Sequence, residues 1–156
     1  MRILYTAFNG KNNSSKVLLD YVDSNNKLYL TNSFKTSVCE LYKILESNSY
    51  DLIISFGQAP LDNDTIKIET RARGLKVYET TYDYSKFGKR IRKYYNVVIS
   101  NDAGNYLCNN IYYYGLKFIK EHNLKTKMIF IHIPKLKNVS NMEELSKKFR
   151  SEWFYE

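Results

Sequence analysis

Short, near-continuous apolar runs alternate along the chain with longer stretches in which apolar residues recur every three or four positions. The first kind reads as strands, the second as helices lying against them. Strands are expected at residues 2–6, 27–31, 50–56, 96–100 and 127–132. Residues 65–70 alternate, with Ile66 and Ile68 on one side and Lys67 and Glu69 on the other, which predicts an amphipathic strand. Helices are expected at 16–22, capped by Ser14 or Ser15, and at 37–46, with Val38, Leu41, Ile44 and Leu45 inward. A weaker one covers 85–94, with Phe87, Ile91 and Tyr94 in register. A long helix then runs from the neighbourhood of Cys108 to about His122, its apolar face Leu107, Ile111, Tyr114 and Phe118. The last helix covers 141–154, capped by Ser140 or Asn141, with Met142, Leu145, Phe149 and Trp153 inward. Residues 75–84 lack a clear period, and Val77, Thr80 and Thr81 favour extended structure there. Gly57-Gln58-Ala59-Pro60 is expected to break the third strand and Pro134 to close the last.

Strands thus alternate with helices throughout. The fold class is α/β: a single three-layer αβα domain over residues 1–156, with a mostly parallel twisted sheet and helices on both faces. The 156 residues suffice for one buried core. No apolar stretch reaches the length of a membrane helix, and the first residues run straight into a strand, which leaves no room for a signal peptide. A cytoplasmic protein without a membrane partner is expected.

Charge adds less than it promises. The formal net charge is +8, but the Lys and Arg are scattered among many Asn and Tyr, a mix that argues against a nucleic-acid partner. The densest basic run is Lys-Phe-Gly-Lys-Arg-Ile-Arg-Lys at residues 86–93. Two cysteines, Cys39 and Cys108, are too few for a disulfide framework and lack zinc-site spacing, so no metal or other cofactor is expected. A homo-oligomer is left open.

Chemistry concentrates at Cys108. It follows a strand and the turn Ser100-Asn101-Asp102-Ala103-Gly104, and it stands at the start of a helix. The unpaired N–H groups and dipole there favour an anion, which is expected to lower the thiol pKa. In open α/β sheets working groups gather beyond the carboxyl ends of strands. Those ends place Phe8, Gln58, the Cys108 turn and His132 on one rim. Histidine can take a thiol proton and return it to a leaving amine. Glu69, on the polar side of its strand, is expected to orient that histidine, with Asp102 as the alternative. His122, at a helix end, and Cys39, on a helix, read as structural, Cys39 as packing.

The string Ser-Asn-Asp-Ala-Gly-Asn-Tyr-Leu-Cys-Asn at residues 100–109 resembles the cysteine motif of the pyroglutamyl peptidase I family. Phe130-Ile131-His132-Ile133-Pro134 resembles its histidine motif, Gly57-Gln58-Ala59 with Ile68-Glu69 its glutamate region, and Leu4-Tyr5-Thr6-Ala7-Phe8 its first strand. The resemblance implies a cysteine exopeptidase that removes N-terminal pyroglutamate from peptides, with Cys108 as nucleophile, His132 as base and Glu69 as orienting carboxylate. It also implies that Phe8, Gln58, Tyr106 and Leu107 contact the lactam ring. Arg71 or Arg73 would stand in for an active-site arginine. The chain departs from the family in a much shorter segment between Glu69 and Cys108, and in the loop around Gly10-Lys11-Asn12-Asn13. Two other readings are a related cysteine amidohydrolase acting on another small cyclic or N-terminal amide, and a non-catalytic binding protein that keeps the fold.

Overall fold

In the computed structural model, which describes residues 1–155, the central element is the strand nearest the end of the chain. The strands are β1 (Ile3–Phe8), β2 (Lys27–Leu30), β3 (Leu52–Gln58), β4 (Thr65–Glu69), β5 (Arg71–Arg73), β6 (Val77–Glu79), β7 (Asn96–Ser100) and β8 (Lys127–Ile133). Six of them form one sheet in the order β2-β1-β3-β8-β4-β7, and β5 and β6 form a separate antiparallel hairpin. β2, β1, β3 and β8 are parallel, whereas β4 runs antiparallel to β8 and β7 follows β4. The sheet is therefore mostly parallel, with two reversed strands at one side.

The helices are α1 (Ser14–Tyr21), α2 (Phe34–Ser47), α3 (Ser85–Ile91), α4 (Leu107–Glu121) and α5 (Met142–Lys147). α1, α3 and α5 cover one face, over Tyr5, Ile54, Phe56, Ile68, Ile129 and Ile131. α2, α4 and the hairpin cover the other, over Leu4, Phe8, Ile53, Met128 and Phe130. Asn13, Ser33 and Asn141 cap α1, α2 and α5 through their side chains, so Asn13 replaces the serines expected at α1. Among the described residues no helix is long and apolar enough to cross a membrane.

Four departures from the expected elements have physical reasons. Gly57 and Gln58 do not break β3 but complete it, paired with His132 and Ile133 of β8. Phe8 likewise stays in β1, paired with Leu30. β7 has a neighbour on one side only, so its Val98 and Ile99 are exposed rather than covered. The C-terminal helix stops at Lys147, and a 3₁₀ turn follows at Ser151–Trp153. Positions five apart on a helix lie about 140° apart. The break lets both Phe149 and Phe154 pack on Phe87.

Candidate active site

Alternation along β4 and β8 brings an acid and a base together. Lys67 and Glu69 of β4 lie on the face opposite Ile66 and Ile68, and antiparallel pairing sets Lys67 beside His132 and Glu69 beside Phe130. His132 Nδ1 lies 2.9 Å from Glu69 Oε1. A carboxylate oxygen can only accept, so Nδ1–H donates and the neutral imidazole keeps its acceptor on Nε2. Both side chains are buried, Glu69 completely. Its second oxygen, Oε2, is buried without a hydrogen-bond partner among the described residues. Asp102, the alternative acid, is not at this site. It is exposed, accepts from the Gly104 N–H and pairs with Arg73 at 2.9 Å.

The thiol arrives over the face of the sheet, not along a shared rim. Because β7 runs opposite to β8, its carboxyl end points away from that of β8. The loop at residues 101–106 leaves the edge, and α4 then crosses back over β8. Cys108, half-buried, lands on Gly57: a Cβ added there would lie 2.7 Å from Cys108 Sγ and 2.7 Å from the Phe130 ring. Gly57 is the register partner of His132, and the Phe130 and His132 rings touch with centroids 4.9 Å apart. The absent side chain of Gly57 is thus the seat of the sulfur. α4 has no side-chain cap, so first-turn N–H groups at its start remain for an incoming oxyanion. The thiol itself is not acidified as expected. Burial pushes it up to about 12, and the nearby Glu69 carboxylate adds to the rise.

The other expected site residues divide. Leu107 is buried beside Cys108, and Phe8 is buried in the layer under α2 and α4. Tyr106 turns outward, 66% exposed, with its ring edge against Phe34. Gln58 turns to the α1 side, where its Oε1 accepts the Ser14 N–H at 2.9 Å. The arginines strap the turn that precedes Cys108: Arg71 Nε donates to the Asn101 carbonyl, and Arg73 pairs with Asp102. Asn109 completes the strap by accepting from Arg73 N and donating to Arg73 O. His122 ends α4, bonded to the Phe118 carbonyl and stacked on the Phe118 ring. Cys39, expected to pack inward, is exposed on the outer side of α2.

Sequence reasoning missed Gly57 as the sulfur seat, Asn109 as part of the strap, and the β5–β6 hairpin. The alternation of Arg71-Ala72-Arg73 and Val77-Tyr78-Glu79 about Gly74 was a readable hairpin signal. Among the described residues no three His, Cys, Asp or Glu side chains gather as metal ligands would.

Comparison with known proteins points the same way. Residues 62–147 match the sequence profile of the family described as pyroglutamyl peptidase. The pyrrolidone-carboxylate peptidase of Brachyspira hyodysenteriae is 30% identical over 131 residues, 69% of this chain and 65% of that protein. That of Thermosipho melanesiensis is 28% identical, with 86% and 83% covered. The fold matches a mutant of the pyrrolidone carboxyl peptidase of Pyrococcus furiosus with a TM-score of 0.83 at 21% identity, over 99% of this chain and 98% of that one. With the profile covering more than half its length, the chain belongs to the pyroglutamyl peptidase family.

Proposed function

We propose that this chain is a cysteine omega peptidase that removes an N-terminal pyroglutamyl residue from peptides through a Cys108-His132-Glu69 triad. The observation that carries the reading is the buried 2.9 Å contact of His132 with Glu69, beside a sulfur seated on the register partner of that histidine. The raised thiol pKa makes the resting nucleophile a neutral thiol, so attack needs a base. His132 Nε2 takes the proton as Sγ bonds to the pyroglutamyl carbonyl carbon. Glu69 holds the Nδ1–H and steadies the imidazolium. N–H groups at the start of α4 meet the oxyanion. The tetrahedral intermediate collapses, the amine leaves with the proton from His132, and a thioester remains. Water, deprotonated by His132, then frees pyroglutamate and the thiol. The two free thiols suit a reducing compartment, and we place the activity in the cytoplasm.

One observation favours the second reading, a related amidohydrolase. Two of the four expected ring contacts, Gln58 and Tyr106, face away from the sulfur. Turnover of a fluorogenic pyroglutamyl amide, against glutaminyl and prolyl amides and with Cys108→Ser as control, separates the two. Hydrolysis of the pyroglutamyl amide alone supports the first. Preference for another amide supports the second.

A further inference from the structure

The triad has a fourth ionisable neighbour. Lys67 stands directly across from His132 in the β4–β8 register and two residues before Glu69 on the same strand face. Its Nζ lies 3.5 Å from Glu69 Oε1, the oxygen that also accepts His132 Nδ1–H. Lys67 is partly buried, with 26% of its side chain exposed, while Glu69 is fully enclosed. Among the described residues only Lys67 and His132 pair with this carboxylate.

We propose that Lys67 is a positioning residue of the catalytic apparatus: it balances the buried Glu69 charge so that His132 stays free to accept the Cys108 proton. The inference rests on the proposed triad. A buried carboxylate without a permanent cation draws a proton to itself or holds one on its histidine. In the first case the imidazole loses its orienting acceptor; in the second the base is already occupied. The charge count shows what the ammonium changes. With Lys67 present, the cation, Glu69 and a thiolate–imidazolium pair sum to zero. Without it, the buried cluster carries one uncompensated negative charge both before and after the proton moves from Cys108 to His132. The ion pair of Lys67 is with Glu69, so it acts through that carboxylate, and its loss should fall on kcat rather than on ground-state binding.

The test compares the full chain with Lys67→Met and Lys67→Arg. Turnover of a pyroglutamyl amide should show Lys67→Met lowering kcat about tenfold with KM within about twofold, since only part of the base's contribution is lost. Lys67→Arg should restore most of it, because charge rather than shape is required. Iodoacetamide labelling at neutral pH, mapped by mass spectrometry, gives a second readout that needs no substrate. Exposed Cys39 is the internal reference. The Cys108-to-Cys39 labelling ratio should fall about tenfold in Lys67→Met and recover in Lys67→Arg. Unchanged kcat and labelling in Lys67→Met, or an arginine variant as impaired as the methionine one, would overturn the proposal. If the parent chain hydrolyses no pyroglutamyl amide, the peptidase reading fails, while the labelling ratio still decides the role of Lys67.

Discussion

The two faces of the sheet are built from the same strands and do different work. On β8, Ile129, Ile131 and Ile133 enter an apolar layer beneath α1, α3 and α5. Between them Met128, Phe130 and His132 face α4. β4 repeats the division, with Ile66 and Ile68 on the first face and Lys67 and Glu69 on the second. β1 and β3 contribute Thr6 and Ser55 to the α4 side, where their hydroxyls bond at 2.7 Å. Both faces thus hold an apolar core, but Lys67, Glu69 and His132 lie on the α4 face, and the period of two keeps them from the other. Chemistry that needs buried charge can be hosted on a strand whose neighbouring residues never meet it.

That division can be broken from the polar side first. Cys108→Ser should reduce hydrolysis of a pyroglutamyl amide by roughly 10⁴-fold or more, as loss of a triad nucleophile does elsewhere, with the melting temperature near that of the parent. Retained turnover would place the chemistry on another residue. Next comes the thiol in isolation. A pKa near 12 leaves on the order of one thiolate in 10⁵ at pH 7. Because the value is raised, the protonated form persists throughout the neutral and mildly alkaline range. In His132→Ala, alkylation of Cys108 should climb about tenfold per pH unit from pH 7 to 10, roughly 10³-fold in all. A plateau near pH 8 would mean that the helix start, not burial, sets this thiol.

Smaller effects sharpen the same contrast. Glu69→Gln should cost roughly 10²-fold or more in turnover, while Asp102→Asn stays within a few-fold, since only Glu69 reaches His132. Equal losses in the two variants would show that the Arg73–Asp102 strap matters as much as the triad. Gly57→Ala forces a methyl group into the sulfur and the Phe130 ring. If Cys108 is the nucleophile proposed above, displacement of its sulfur by an ångström should cost about 10²-fold in kcat. On the apolar face, Ile131→Ala should cost about 2–5 kcal/mol of stability and leave kcat within about twofold, read by denaturant unfolding and kinetics on the folded fraction. A large kcat defect there would show that the two faces are coupled.

How much of this was legible beforehand follows from the range of each signal. Strands and helices were read from local period, and most appear where expected, because apolar pattern and burial coincide in β1, β3, β8 and α4. Cys108, His132 and Glu69 stand out by residue type and motif. What the pattern could not carry was direction. Nothing in residues 65–70 or 96–100 says that β4 and β7 run against β8, yet that reversal removes the shared rim and brings the sulfur in over the face. Nor could local reading foresee that Gln58 turns to α1 or that Cys39 is exposed, since both depend on which neighbour the chain later supplies. The thiol pKa was misjudged for a related reason. The helix start is visible in sequence, whereas the burial that outweighs it is a property of the assembled layer.

The place of β8 has a consequence for how the protein is made. It is the last strand among the described residues, yet it lies between β3 and β4. Until residues 127–133 are synthesised, β2-β1-β3 and β4-β7 are separate ribbons, each with a bare inner edge, a condition that invites pairing with other chains. The late strand closes both edges at once and in the same act delivers His132 to Glu69. A nascent or truncated chain lacking it therefore has neither a continuous sheet nor the His132–Glu69 pair. During refolding, the first appearance of activity should mark the closing of the sheet.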